Sequence, residues 1–516
     1  MRAFLTMAAN RAVDEYAINT CDIPGSLLMQ NAGDALVEQM YNRGYLENSP
    51  EVLVLAGHGN NGGDGFVIAA GLFKRGISVS LMTVFPESHL AGDALFHYSK
   101  LKDFKIAVET WSNSEAQTQQ ILEADIIVDA LLGTGISGQI RYPYDTLIKL
   151  SNQSAAACIA VDVPSGVTGD QGETLEPCIH AELTVSMGFG KQGCLFEPAR
   201  SYSGTVIPVE IGFPADSLDH VSGQILWQNE ASDFPTSSYT RVSHTHKYTA
   251  GKVFIIAGSQ GFTGAALLAS IAALRSGAGL VRLAIPKSLG AIAEALSLET
   301  VVDYVPETEN VGIALSAMSD LLQGCEWADI VVIGPGLGRH PETIQIVKRI
   351  VKESRQPLVI DADALFALSG NPSILLARPA PTLLTPHVGE FKRLINRRDD
   401  YNPTWKDAQK FAKEHAVSLL LKGAPSLLAM PSGEVTINST GYAGMATAGS
   451  GDVLSGVIAS LWSQWMDDPE VLNFAMFIHG KAAELNHPRK GVLGLVASDI
   501  IEALPEALKE YGGLPI

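Results

Sequence analysis

Asp452 lies where proton abstraction and phosphoryl binding could meet, in Ala448-Gly449-Ser450-Gly451-Asp452. The apolar residues Val453, Leu454, Val457, Ile458 and Leu461 then follow a helical period, so the glycines mark a helix N-terminus. Free N–H groups there stabilise a transferring phosphoryl group, and a carboxylate beside them can take a proton from an attacking hydroxyl. The plainer alternative is an acid that only complements the helix dipole. Other strand ends feed the same place. Gly258-Ser259-Gln260-Gly261-Phe262-Thr263-Gly264-Ala265 opens a helix, and Gly334-Pro335-Gly336-Leu337-Gly338 follows an apolar run. His387 stands between a strand and a helix, with no apolar face to fill. Lys422-Gly423-Ala424-Pro425-Ser426 offers a cation and N–H groups to a nucleotide; the alternative is a hairpin turn. His244 and His246, two apart and without nearby acids, read as structural.

A second set of polar strand ends lies in the first half of the chain. Gly57-His58-Gly59-Asn60-Asn61-Gly62 has the spacing of a turn that brings backbone close to a phosphate at a helix N-terminus. The next strand ends in Thr83-Val84-Phe85-Pro86, and its first acid, Glu87, lies beyond the proline, which argues against an ordinary NAD dehydrogenase. Asp129 ends another strand, in Ile127-Val128-Asp129-Ala130-Leu131-Leu132-Gly133-Thr134-Gly135. Asp162 and Ser165 end a third, in Val161-Asp162-Val163-Pro164-Ser165-Gly166. If these strands are parallel, Asn60, Asn61, Asp64, Asp129, Asp162 and Ser165 gather on one sheet edge, where such folds bind ligands. Oxygen-rich, sulfur-free surroundings suit a hard cation. Helix capping is the competing reading for each Asp or Ser taken singly.

The elements that must position these groups have the grammar of parallel α/β domains, in which short buried apolar strands run into glycine-bearing turns. Strands are expected at Glu51–Ala56, Ile77–Val84, Ala124–Leu132 and Ala156–Val163, with a helix from the Gly57–Gly65 loop to about Arg75. The grammar resumes at Lys252–Gly258 and recurs at Ile330–Gly338, Leu358–Asp363, Thr382–Glu390 and Leu419–Gly423. Between them, residues 215–243 lack a sustained period and read as a linker, which divides the chain into domains 1–214 and 244–516. The 516 residues carry 36 Lys plus Arg against 55 Asp plus Glu, a net charge of −19. That excludes a nucleic acid held by bulk charge but not a small phosphorylated ligand. No apolar run approaches the roughly 18 residues of a membrane span. The N-terminal residues form no signal-peptide apolar region, and the five cysteines show no CxxC spacing. Reduced thiols in a cytoplasmic protein are expected.

Taken together, Asp22-Ile23-Pro24, Leu28-Met29-Gln30-Asn31-Ala32-Gly33, the Gly57–Gly65 loop, Asp129–Gly135 and Asp162–Gly166 resemble the NAD(P)H-hydrate epimerase family. The resemblance implies a Rossmann-like three-layer domain that interconverts the R and S forms of nicotinamide cofactor hydrated at ring carbon 6. It implies substrate contacts from Asn60, Asn61, Gly62, Gly63 and Asp64, and from Gly133, Thr134, Gly135, Ile136, Ser137, Gly138 and Gln139. It further implies a potassium ion held by Asn61, Asp129 and Ser165, with Asp162 against the substrate; from that place Asp162 is expected to be the acid or base at the reacting ring. Gln30 replaces the family's usual Glu, and Glu182 its usual Asp.

The second half resembles the ADP- or ATP-dependent NAD(P)H-hydrate dehydratases, which have a ribokinase-like α/β fold. That match adds Asp361-Ala362-Asp363-Ala364-Leu365 and Gly444-Met445-Ala446-Thr447 to the segments above. By this resemblance Ala265, Gly338, His387 and Asp452 contact hydrated NADH or NADPH. Lys422, Gly423, Ala424, Pro425, Ser426 and Gly451 hold the adenine nucleotide, expected to be ADP with magnesium. Asp452 would be the base on the ring hydroxyl. Val388, Phe366 and Tyr442-Ala443 depart from the usual Pro, Asn and Asn-Pro, and bear on nucleotide affinity. The resemblance also implies a homo-oligomer. The competing function is a small-molecule kinase of ribokinase type whose first half binds a nucleotide without catalysis.

Overall fold

The computed structural model describes residues 1–136, 138–235 and 238–512. It separates into two compact units, Arg2–Leu226 and Trp227 onward, the latter also taking in Met1.

The first unit is built on a seven-stranded sheet. Its order is Thr205–Val209, Leu183–Met187, Ala157–Val161, Ile126–Ala130, Glu51–Ala56, Ser78–Thr83 and Ala107–Thr110. Every pairing in it is parallel. The strands run almost wholly apolar because both faces are covered. Val52, Val54 and Ala56 enter one buried cluster, and Leu53 and Leu55 enter another. Strand order reverses where Glu51–Ala56 meets Ile126–Ala130. The two loops that leave these neighbours diverge there and open a crevice, the ligand position of doubly wound sheets.

The second unit repeats the arrangement. Lys252–Ile256 pairs in parallel with both Leu280–Pro286 and Ile330–Ile333, which makes that junction its reversal point. Leu358–Ile360, Thr382–Leu384 and Ser418–Leu421 extend the sheet in parallel. Leu427–Ala429 and Val435–Ile437 then add an antiparallel meander. The helix Ser450–Gln464 is buried along nearly its whole length, which fits its run of apolar and small residues. Gly456 lets it approach the helix Thr263–Arg275: a Cβ there would lie 2.2 Å from the Ala269 carbonyl oxygen.

Residues 215–243 do not form a loose connector. Ile225–Gln228 is a strand, Val221 is buried in the first unit, and Phe234 and Tyr239 belong to the core of the second. These apolar residues follow no helical or strand period, so periodicity does not reveal their burial; Thr236 and Ser237 lie outside the described residues. The strands expected at Ile77–Val84, Ala124–Leu132 and Ala156–Val163 are present but shorter at their ends, as Ser78–Thr83, Ile126–Ala130 and Ala157–Val161. No helix among the described residues is long and apolar enough to cross a membrane.

Candidate active sites

At the crevice of the first unit, glycine is required by backbone contact. A Cβ on Gly57 would sit 2.1 Å from the Leu131 carbonyl oxygen, and one on Gly62 would sit 2.0 Å from the Gly57 oxygen. The loop thus folds tightly over the strand ends and starts the helix Asn60–Lys74 at the cavity wall. The cavity has a volume of about 550 Å³, and its lining includes Asn60, Asn61, Asp64, Gly133, Thr134, Gly135, Ile136 and Asp162. Gly62 and Gly63 are buried behind that wall, Gly138 and Gln139 are exposed outside it, and Ser137 lies outside the described residues.

Beside the cavity, Asp129 is wholly buried. One of its carboxylate oxygens accepts from the Ser165 hydroxyl at 2.6 Å and from the Leu131 N–H at 3.2 Å. The other accepts from the Ser165 N–H at 2.7 Å. Burial still pushes Asp129 up to about 6, against these bonds. The Asn61 amide nitrogen nearby is buried without a partner, and its side chain lies against Gly133. A buried carboxylate, a hydroxyl and an amide that all offer oxygen fit a hard cation.

Sequence reasoning missed the buried cation of this cavity, which the exposed Arg11 also lines. Lys191, 4% exposed, lines the cavity and forms an ion pair with Asp162. Asp14, from the helix Met7–Asn19, also lines it. The only available signal for Lys191 was the glycine-rich turn Gly188-Phe189-Gly190-Lys191 after a strand, and a lone lysine there has no motif spacing.

In the second unit, the reversal point joins two loops directly. The Gly258 N–H donates to the Pro335 carbonyl at 3.0 Å, and the Ser259 hydroxyl donates to the Gly336 carbonyl at 2.8 Å. A Cβ on Gly336 would lie 3.0 Å from that of Ala265, and one on Gly338 would lie 3.2 Å from the Ser259 hydroxyl. Asp363 accepts from the Gly338 N–H at 3.0 Å and from Arg339 Nε at 2.9 Å. Arg339 in turn lies 4.5 Å from the Phe366 ring centre, so the Phe at this position backs the arginine that holds Asp363.

Asp361, 1% exposed, accepts from Lys422 Nζ at 2.8 Å and from the Ser455 hydroxyl at 2.8 Å. Burial pulls Lys422 down, but Asp361 and Glu390 outweigh it and hold the ammonium above its usual value. Its amine rests on Gly451, where a Cβ would come within 3.1 Å. The segment Lys422–Ser426 does join two antiparallel strands as a hairpin connection, and Lys422 turns from that hairpin into the site. Asp452 follows one residue after Gly451, in the first turn of its helix. Burial, then Asp361, raise Asp452 to about 7 against the pull of Lys422, with Asp363 and Glu390 adding to the rise.

His387 caps the helix Val388–Leu394, its Nδ1 accepting from the Gly389 N–H at 3.0 Å, and it pairs with Lys422 through a parallel bridge. Gly338 thus meets Asp363 and His387 meets Lys422, while Asp452 lies close enough to Asp361, Lys422 and Asp363 to respond to their charges, and Ala265 stands by the Gly336 loop. Asp361 and Ser455 were missed as functional groups, although Asp361 opens a motif already recognised. Behind the site, burial lowers His479 to about 4, so it stands neutral. Among the described residues, no cluster of three or more His, Cys, Asp and Glu is placed to hold a metal.

These two sites can be set beside known proteins. Residues 253–506 match the NAD(P)H-hydrate dehydratase family, and residues 25–193 match the family of YjeF-related protein N-termini. The bifunctional NAD(P)H-hydrate repair enzyme of Moorella thermoacetica is 35% identical, over 98% of this chain and 96% of its own. That of Salinibacter ruber is 34% identical, over 99% of this chain and 96% of its own. A ribokinase-like protein of Enterococcus faecalis superposes on 56% of this chain and 97% of its own, with 25% identity and a TM-score of 0.50. With near-complete coverage by such relatives, the chain belongs to the bifunctional NAD(P)H-hydrate repair enzymes, which combine an epimerase with a dehydratase.

Proposed function

We propose that Asp452 is the base of the dehydratase and that the co-substrate is ADP. The observation that carries this is the Asp452 carboxyl, at a helix N-terminus and raised to about 7 by burial and then by Asp361. The hydroxyl on ring carbon 6 gives its proton to Asp452, and its oxygen attacks the terminal phosphorus of ADP. The bond to the bridging oxygen breaks, and AMP departs. The new phosphate ester then leaves with the C6–O electron pair, a proton is lost from carbon 5, and the ring double bond of NAD(P)H is restored. Phosphorylation turns a poor leaving group into a good one, which accounts for a dehydration that consumes nucleotide. Ala265, Gly338 and His387 contact the hydrated substrate. Lys422, Gly423, Ala424, Pro425, Ser426 and Gly451 hold the nucleotide, whose phosphates would bring the magnesium.

In the first unit, the cavity takes hydrated NADH or NADPH, and Asp162 exchanges a proton with the ring hydroxyl. Asn61, Asp129 and Ser165 hold potassium, which would offset the Asp129 charge next to the substrate loop. The wholly buried Asp129 carboxylate, with the Ser165 hydroxyl against it, supports this placement. A homo-oligomer in the cytoplasm completes the reading, with 1–214 and 244–516 as its two functional regions. The test is recovery of reduced-nicotinamide absorbance from a racemic hydrate with ADP, ATP or neither. Full recovery with ADP supports the assignment. Release of a stable phosphoproduct instead would make the second unit a small-molecule kinase.

A further inference from the structure

Asp162 has a backbone φ of +69°, a left-handed conformation that disfavours residues with a Cβ. The surrounding structure over-determines it. Its N–H donates to the Val185 carbonyl at 2.8 Å, its carbonyl accepts from the Ser186 hydroxyl at 2.8 Å, and its carboxylate accepts from the Met187 N–H at 3.0 Å. The Lys191 ammonium forms the remaining contact. That ammonium also donates to the carbonyls of Met187 at 2.9 Å and Phe189 at 3.1 Å. An ammonium has three donors, and these three acceptors take them all. Lys191 therefore has none left for substrate, and no role as a proton carrier that would keep these bonds.

Asp64 differs in each respect. It lines the same cavity from the helix Asn60–Lys74, half-buried, and has no hydrogen-bond or ion-pair partner among the described residues. The one buried cation nearby is committed to Asp162. We propose that Lys191 is a positioning residue that divides the cavity's carboxyl groups into a base, Asp162, and an acid, Asp64. This rests on the reading of Asp162 as the group that exchanges a proton with the ring hydroxyl. The environment supports the division: burial, then the Asp162 charge, hold Asp64 well above the usual carboxylate range, with Lys191 opposing and Asp14 adding to the rise. Asp14, the more exposed of the two, is raised to about 6 by the same kinds of cause, burial first. Carboxyl groups whose environments separate their protonation states take separate acid and base roles.

The chemistry then closes on itself. Carbon 6 of the hydrate bears both a hydroxyl and the ring nitrogen. Asp162 removes the hydroxyl proton, the O–H pair becomes the second bond of a carbonyl, and the C6–N1 bond breaks with its pair going to nitrogen. Asp64 supplies the proton that nitrogen takes up. The ring is now an open-chain aldehyde, and rotation of that arm presents its other face. Attack by nitrogen on this face returns one proton to Asp64 and draws the other from Asp162, giving the opposite epimer with both carboxyls reset. No oxidant and no further reactant is needed.

The experiment measures epimerisation of an R-enriched hydrate by the full-length protein, with dehydration of the S-hydrate as an internal check of the preparation. Lys191→Met is expected to lower epimerase kcat at least about a hundredfold while KM stays within about threefold, the signature of a group that acts after binding. Lys191→Arg is expected to recover at least about tenfold of that loss, since it restores the charge. Should Lys191→Met not fold, Asp64→Asn tests the same division, because it leaves the Lys191–Asp162 pair intact. It is expected to lose kcat with KM kept. Epimerisation by Lys191→Met within threefold of wild type, or by Asp64→Asn at full rate, overturns the proposal. Asp162→Ala separates the two readings. If it is inactive while Lys191→Met is active, only the positioning role fails; if Asp162→Ala is itself active, the base assignment beneath it fails.

Discussion

Asp452 carries two opposite pH dependences from one cause. Burial and the neighbouring Asp361 raise it to about 7, so the carboxylate needed to accept a proton forms only as pH climbs through that value. Dehydratase turnover at saturating substrate should therefore fall about tenfold per unit below about pH 7. Asp452→Asn should lose at least about a hundredfold in turnover and the acidic limb with it, while epimerisation persists. A variant with near-normal dehydration sinks the base assignment. The effect on stability has the other sign. Between the ordinary value of 3.8 and about 7 the folded state binds more protons than the unfolded chain, so stability declines as pH rises through that window. Above pH 7 the same variant should consequently melt higher than wild type, as seen by differential scanning calorimetry.

At Asp129 the argument is about charge without titration. A carboxylate this buried is relieved by a cation, and binding to the folded state alone stabilises it. The first unfolding transition should move up in potassium chloride relative to choline chloride at equal ionic strength. At a hundredfold excess over Kd the gain is about 2.7 kcal/mol. Asp129→Ala should abolish the difference between the salts. Equal melting of the wild-type protein in both salts would remove potassium from the site.

Among the elements, what could be read in the sequence was the part carried by periodicity and glycine punctuation. The strand Glu51–Ala56 and the helix that opens at Asn60 stand where the apolar run and the Gly57–Gly65 loop put them. The helix Ser450–Gln464 begins beside Asp452 for the same reason. Three-dimensional convergence was less legible. Asp361 meets Ser455 across 94 residues, and Lys191 meets Asp162 from a different strand end. No local pattern encodes such pairs, because the sheet order brings them together. Nor did periodicity reveal the burial of Phe234 and Tyr239, which pack by aromatic contacts from an irregular segment; Tyr239 stacks on Phe474 with ring centres 3.7 Å apart. The close approach of the helices at Gly456 is a feature of the same kind, and it yields a prediction. A methyl at 456 meets backbone, not a yielding side chain, so Gly456→Ala should destabilise the second unit by about 1–3 kcal/mol. Chemical denaturation of the variant checks this, and an unchanged midpoint would show that the helix pair can slide apart freely.

The whole molecule joins two sites that lie in separate compact units, each at the reversal point of a run of parallel strands. A dehydratase selective for one epimer leaves half of a racemic hydrate unrepaired unless something interconverts the forms, so the epimerase supplies what the second site consumes. Provided that the hydrate is released between the two steps, nothing in the chemistry requires both sites on one chain. Two inactive variants should therefore complement each other. Asp162→Ala alone should recover about half of the racemate quickly and then stall at the rate of spontaneous epimerisation. Asp452→Asn alone should recover almost none. An equimolar mixture should recover all of it, at a rate that rises with the concentration of either protein. Recovery that stalls at half in the mixture, while the wild type runs to completion, would mean that the hydrate passes between sites without release, and the fusion would then be part of the mechanism instead of a means of supplying both activities together.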